Sequence, residues 1–461
     1  MKTPLYSQTW SGPHVAGLLP GPHSATLLAR QDQRESRART YPRHLPIAIE
    51  EASGSFVRDV DGNVFIDFLT GAGVLALGHN HPALVRAVTK QLGRLTHGLD
   101  FPTREKDAFT EATLSMLPTT LRDRMKVHFC GPTGANAVEA AVKLCKIATG
   151  RSDIVSFQGG FHGSTHGAMA LTGLVAQKEP VPGGMPGVHF FPYSYCSRCP
   201  LDLSPDTCAV NCVSYLEHAL EDVNGGVPLP AAVVLELVQG EGGIVPARVE
   251  FVQRLRALTR RLKVPLVVDE VQTGCGRTGT WYAFEQYGIE PDVIIASKAL
   301  SGIGTPVALI IYDRQLDVWE PGAHIGTFRG NQLAFAAGVE LIRIVRRDNL
   351  LEQVRSRGEQ LAAALTKLTD CPWVREVRGR GLMWGIELAD PDSGAPAGDL
   401  ASAVQSHALH NGLILELGGR DDSVVRLMPP LNVSADVLDT ACAIVDDAVH
   451  ACAPKPRSLR P

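Results

Sequence analysis

Two short hydrophobic runs lie close together in the chain, Val264-Pro265-Leu266-Val267-Val268 and Val293-Ile294-Ile295-Ala296, both rich in β-branched residues and unbroken by polar ones. Continuous runs of this kind suit strands buried on both faces of a parallel sheet, whereas half-exposed strands alternate. The first run ends in Asp269 and the second leads into Ser297-Lys298. In an open α/β sheet, ligands sit beyond the carboxyl ends of the strands, so an acid and an amine placed there face one crevice. A lysine among apolar walls loses its charge readily and becomes a nucleophile toward aldehydes. A buried aspartate has the opposite need, a cation.

Pyridoxal phosphate answers both demands, because its aldehyde condenses with an amine and its protonated ring nitrogen pairs with a carboxylate. Each residue alone has a plainer reading: a lysine after a strand is commonly a solvated terminus, and an aspartate there a turn former or helix cap. The local wording separates the readings. Asp269-Glu270-Val271-Gln272-Thr273-Gly274 and Ser297-Lys298-Ala299-Leu300-Ser301-Gly302 together resemble the class III aminotransferases, the fold-type I pyridoxal phosphate enzymes that include ornithine, 4-aminobutyrate and diaminobutyrate transaminases. The resemblance runs over residues 41–433. It implies an α/β chain with a large domain, whose mostly parallel central sheet is flanked by helices, and a smaller α+β domain. The implied division is 1–75 as an N-terminal arm and part of the small domain, 76–331 as the cofactor-binding domain, and 332–461 as the C-terminal small domain.

A chain of 461 residues has room for such a core, and a net charge of −4 gives no basic field for nucleic acid. No apolar stretch approaches a membrane span, and Met1-Lys2-Thr3-Pro4-Leu5-Tyr6 lacks a signal-peptide core, so a cytoplasmic protein is expected. The cysteines are mostly scattered, as reduced thiols would be. Cys196, Cys199, Cys208 and Cys212 are the exception: their spacing would allow a small tetrahedral zinc site, or they pin a loop by packing. The working expectation is no metal.

Residues 1–40, rich in Pro, Gly, Ser and Arg, read as an arm lying over the surface or over a partner subunit. Residues 55–68 predict a hairpin turning at Asp61-Gly62, and Pro82 opens a helix with Leu84, Val85, Val88 and Leu92 as its buried face. A strand at 126–130 and a helix at 135–149 bracket Gly131-Pro132-Thr133-Gly134-Ala135-Asn136. Small residues opening a helix present free amides and the positive dipole end to a phosphate, though an ordinary N-cap looks the same. By the resemblance, the phosphate cup falls on Thr133, Gly134, Ala135 and Asn136.

The resemblance also makes Phe161 the residue stacked on the cofactor ring and His162 its neighbour, with Val271 on the opposite face and Gln272 at the ring hydroxyl. Lys298 holds the cofactor and shuttles the proton, and Asp269 keeps the ring nitrogen protonated. Glu241 matches the family's switch glutamate and Arg426 the arginine it guards, a planar fork suited to the carboxylate of 2-oxoglutarate. Thr327 matches a threonine that reaches the neighbouring subunit's cofactor phosphate, which implies a homodimer or a higher homo-oligomer. One departure matters. Ornithine and 4-aminobutyrate enzymes carry a substrate-binding arginine where this chain has Ser164.

Gly274-Cys275-Gly276-Arg277-Thr278-Gly279 matches a dinucleotide fingerprint, but it neither follows a strand directly nor opens a helix, and reads as a loop. Within the class, the wording of 67–73, 96–103, 161–167 and 326–331 is most similar to the diaminobutyrate:2-oxoglutarate transaminases. The implied reaction moves the terminal amino group of 2,4-diaminobutyrate to 2-oxoglutarate, or the reverse. The competing readings are an ornithine, acetylornithine or 4-aminobutyrate type of transaminase, a racemase or aminomutase of the same fold, and a non-catalytic scaffold.

Overall fold

The computed structural model describes residues 10–454; of the predicted arm, residues 1–9 lie outside the described residues, as do 455–461. Strands β1 (Ile49–Ser53), β2 (Phe56–Asp59) and β3 (Val64–Asp67) form an antiparallel meander. The β2–β3 turn falls where Asp61-Gly62 predicted it, with Gly62 at φ 89°. Helix α1 (Pro82–Leu92) follows. Of its predicted face only Leu84 is fully buried, and Leu92 is 57% exposed, a correction to the periodicity reading. Helical spacing identifies a stripe, and the neighbouring elements decide how much of it is covered.

The central sheet is built from β4 (Met125–Gly131), β5 (Ile154–Phe157), β6 (Val188–Phe191), β7 (Ala232–Leu235), β8 (Leu266–Asp269), β9 (Val293–Ala296) and β10 (Ala308–Asp313). Their spatial order is β4-β10-β9-β8-β7-β5-β6. All pairings are parallel except those of β10, which runs antiparallel to both β9 and β4. Every residue of β5, β7, β8 and β9 is buried, as their continuous apolar sequences require. Helix α2 (Gly134–Thr149) packs on β10, β9 and β4 through Ala137, Val138, Ala141 and Cys145, and stops at Gly150 in the left-handed region.

Beyond helix α3 (Gln332–Arg347), β11 (Val374–Arg380), β12 (Met383–Leu388), β14 (Glu416–Gly418) and β15 (Val424–Leu427) form an antiparallel sheet ordered β11-β12-β15-β14. The short strand β13 (Leu413–Ile414) instead pairs in parallel with β3, so N-terminal and C-terminal segments share one sheet. Residues 274–279 are a run of turns leading to a 3-10 helix at Ala283–Tyr287, not the strand-to-helix junction a dinucleotide needs.

Candidate active site

Strands β8 and β9 are paired with Asp269 opposite Ile295, which puts Asp269 and the post-strand residue Lys298 at the same end of the sheet. Both line one cavity of about 590 Å³. Lys298 has φ 43°, a left-handed conformation that a non-glycine side chain adopts only at a cost. Ser297 anchors the turn, its hydroxyl donating to the carbonyl of Val307 at 2.9 Å.

Asp269 is 4% exposed and fully engaged on the protein side: Oδ1 accepts the Val271 N–H at 3.0 Å, and Oδ2 meets His162 Nδ1 at 2.8 Å. Burial alone would lower the His162 ring, but the Asp269 hydrogen bond and charge raise it above its ordinary value. The Asp269 carboxylate is thus already engaged by a protein partner, His162. Glu236, the residue directly after β7, also lines the cavity beside this pair. It accepts the N–H groups of Phe161 (2.8 Å) and Gly240 (3.0 Å), and burial pushes its carboxyl up to about 7.

One wall of the cavity is the start of α2, where Thr133, Gly134 and Ala135 line it. Gly134 sits close against Val271: a Cβ there would lie 3.1 Å from both of its γ carbons, tighter than ordinary contact. Asn136 is not part of the lining. Its Oδ1 accepts the Thr133 hydroxyl (2.8 Å) and N–H (3.3 Å), so its carboxamide serves as the helix cap. Phe161, Val271, Gln272 and Ser164 are also in the lining, and Lys298 is its one lysine or arginine among the described residues. The hydroxyl of Thr305, another lining residue, is buried without a hydrogen-bond partner, and the Gln272 amide lies beside the Glu241 carboxyl.

Glu241 forms the far rim. Its carboxylate grips Arg426 bidentately, Oε1 to Nη1 at 3.0 Å and Oε2 to Nη2 at 2.9 Å. Burial alone would raise the Glu241 carboxyl, but the Arg426 and Lys298 charges hold it below its ordinary value. Arg426 is completely buried beneath this cap and donates Nε–H to the carbonyl of Leu417 at 3.2 Å. Thr327 sits apart from the cavity lining, its carbonyl 2.7 Å from His97 Nε2.

The model of the family described as "Aminotransferase class-III" matches residues 38–449.

The chain belongs to the class III aminotransferases.

This aminotransferase is 48% identical over 426 residues to a diaminobutyrate--2-oxoglutarate aminotransferase of Rhizobium meliloti, covering 90% of each chain. It is 46% identical over 417 residues to a Haemophilus influenzae protein of the same name, covering 88% of this chain and 91% of the relative. Among solved structures, an (S)-enantioselective omega-transaminase from Thermomicrobium roseum superposes with TM-score 0.85 at 25% identity, covering 93% of this chain and 99% of that one. An ornithine aminotransferase from Toxoplasma gondii gives 0.80 at 26% identity, covering 93% and 94%.

Three residues of this aminotransferase's site escaped the sequence reading. Glu236 was readable by the logic that found Asp269, an acid closing a buried strand. Glu416 stands directly opposite Arg426 across the β14–β15 pair, and Tyr41 donates its hydroxyl to Glu416 at 3.2 Å. Neither signal exists without the register and the packing of distant segments. Among the described residues no group of three or more His, Cys, Asp or Glu is arranged to hold a metal ion, and Cys196, Cys199, Cys208 and Cys212 are free thiols around one small internal space.

Proposed function

We propose that the protein uses pyridoxal 5'-phosphate to move the terminal amino group of L-2,4-diaminobutyrate to 2-oxoglutarate, giving aspartate 4-semialdehyde and glutamate, or runs the reverse. The observation that carries this is a shared cavity for Lys298 and Asp269 with an arginine held in reserve behind Glu241. The residues present fit the cofactor. The buried, unpartnered Thr305 hydroxyl and the Gln272 amide in the lining would offer polar contacts to it, and the helix start with its side-chain-free Gly134 suits a phosphate. When bound, the group supplies an aldehyde for amines and a ring that accepts electrons.

In this reading the Lys298 amine holds the cofactor, then acts as general base and acid at the donor's amine-bearing carbon. Asp269, fixed by His162 and the Val271 amide, keeps a negative charge beneath the ring nitrogen. Phe161 and Val271 would exclude water from the cofactor ring, and Thr133, Gly134 and Ala135 would open the phosphate cup. Arg426 takes a carboxylate of the acceptor once Glu241 turns away. Ser164 leaves the lining without the cation that an ornithine or 4-aminobutyrate enzyme would use, which favours diaminobutyrate, the substrate in the names of the relatives.

The working unit in this reading is a homodimer, with Thr327 reaching the neighbouring subunit's phosphate. Leu99, Phe101, Ile325 and Phe328 support it: all are 45% exposed or more, on two segments joined by the Gly98 N–H to Gly330 carbonyl bond. In the same reading 76–331 is the cofactor-binding domain, 1–75 an N-terminal arm with part of the smaller domain, and 332–461 the rest of that smaller domain. No helix among the described residues is long and apolar enough to cross a membrane, and a cytoplasmic location is part of the proposal. The test is a panel of amino donors read as glutamate formed. Diaminobutyrate should lead the panel, with turnover strictly dependent on 2-oxoglutarate; a different leading donor, or amine migration without acceptor, refutes it.

A further inference from the structure

A second buried arginine holds the turn that carries Glu241. Arg378 of β11 stands directly opposite Gly385 of β12, and Gly385 opposite Arg426 of β15, so the two arginines leave one face of the sheet with a glycine between them. Residues 240–244 close over that gap: a Cβ on Gly385 would meet the Ile244 Cβ at 3.1 Å and the Gly243 carbonyl oxygen at 3.2 Å. Arg378 is buried and grips the base of the turn. Its Nε–H donates to the carbonyls of Gly243 (3.2 Å) and Ile244 (2.9 Å), and Nη2 donates to Gly243 again at 2.7 Å. Nη1 donates to Glu376 at 2.8 Å and to Glu387, and the guanidinium lies outside the cavity lining.

The two residues it grips are strained. Gly243 has φ 106° and Ile244 φ 52°, and a β-branched residue in the left-handed region persists only where its surroundings over-determine it. The rest of the turn is pinned as well: the Glu241 carbonyl accepts the Gly419 N–H at 2.8 Å, and the N–H groups of Gly243 and Ile244 close on the Gly240 carbonyl at 3.0 and 3.2 Å. We infer that Arg378 is the positioning residue for Glu241: by fixing the base of this turn, it keeps the Glu241 carboxylate aimed at Arg426 and confines the uncovering of Arg426 to a rotation of the Glu241 side chain. The inference rests on reading Glu241 as the residue that turns away for the acceptor. Its consequence is specificity. A dicarboxylate binds only molecules whose Arg426 is uncovered, so its apparent affinity is the intrinsic one scaled by that fraction. A loose turn raises the fraction and lets dicarboxylates compete with the amino donor.

The experiment measures, by calorimetry, how the holoenzyme binds glutarate, a dicarboxylate with no amino or oxo group to exchange. Wild type, Arg378→Lys, Glu241→Gln and the double variant are compared. Lysine keeps a positive charge beside Glu376 and Glu387 but lacks the fork that spans two carbonyls. Arg378→Lys should bind glutarate on the order of 10-fold tighter, the weight of one hydrogen bond to a charged group. Glu241→Gln should also tighten binding, with no further change in the double variant. Gly385→Ala presses on the base of the turn and leaves both arginines in place; it should shift binding the same way, and it decides the question if Arg378→Lys does not fold. Glutarate binding unchanged or weakened in Arg378→Lys, where Glu241→Gln tightens it, overturns this inference alone. An equal gain from Arg378→Lys with and without Glu241 shows that the effect bypasses the turn, and overturns it too. Glutarate binding indifferent to Glu241→Gln overturns the switch reading, and the inference with it.

Discussion

Arg426→Ala removes the one cation between the buried Glu416 and the partly buried Glu241, and its cost should depend on pH with a sign the geometry dictates. In the wild type, burial would raise Glu241 but the Arg426 and Lys298 charges hold it below its ordinary value. Its contribution to stability is therefore present above the unfolded carboxyl value and lost as pH falls through the folded one. Without the guanidinium, Glu241 and Glu416 are left beside each other with no cation between them, and both partial burial and mutual repulsion favour protonation. The variant's stability is then greatest below the unfolded value and drains away as pH rises. Each extra proton held by the folded state costs about 1.4 kcal/mol of stability per pH unit, so one proton held from pH 5 to pH 8 accounts for roughly 4 kcal/mol. Breaking a buried ion pair by removing one partner costs about 3–5 kcal/mol, which agrees with that figure. The assay is urea unfolding of variant and wild type at pH 5, 6.5 and 8, at one protein concentration. The gap between them should widen with pH; an equal gap at pH 5 and pH 8 refutes the electrostatic account. In the same variant kcat/KM for 2-oxoglutarate should fall roughly 10²- to 10³-fold, from two charge-assisted hydrogen bonds.

Lys298→Ala should abolish turnover and the visible absorbance that develops when the wild type is mixed with pyridoxal phosphate; retention of either removes Lys298 from its role. Asp269→Asn should lower kcat by roughly 10²- to 10⁴-fold, since removing the charge from a buried pair costs about 3–5 kcal/mol, and a loss under tenfold would contradict the ring-nitrogen assignment. Gly163→Ala should weaken cofactor binding, measured by titrating the apoenzyme. A Cβ there would sit 2.6 Å from the Ala135 Cβ at φ +126°, so the loop must push against the start of α2; unchanged affinity would show that the wall yields freely.

Much of this protein was legible before any fold was in view. Apolar runs with no polar interruption could only be strands buried on both faces, and the acid and amine that end two of them had to share the sheet's carboxyl end. Glycine after the helix at 134–149 and Asp61-Gly62 in the hairpin worked as local signals because their cause is local backbone sterics. The tertiary structure decided what no spacing encodes. Asn136 reads as one more cup residue until its side chain is seen capping Thr133. Leu92 carries the helical period of a core residue yet is 57% exposed, because exposure depends on which surface packs there. Tyr41 and Glu416 are 375 residues apart and meet only through the folding of distant segments, and the second guard on Arg426 exists only through the β14–β15 register. Covalent neighbours and hydrophobic pattern fixed the scaffold and its reactive pair; long-range packing chose the charges around them, because electrostatic energy depends on distance in space and not along the chain.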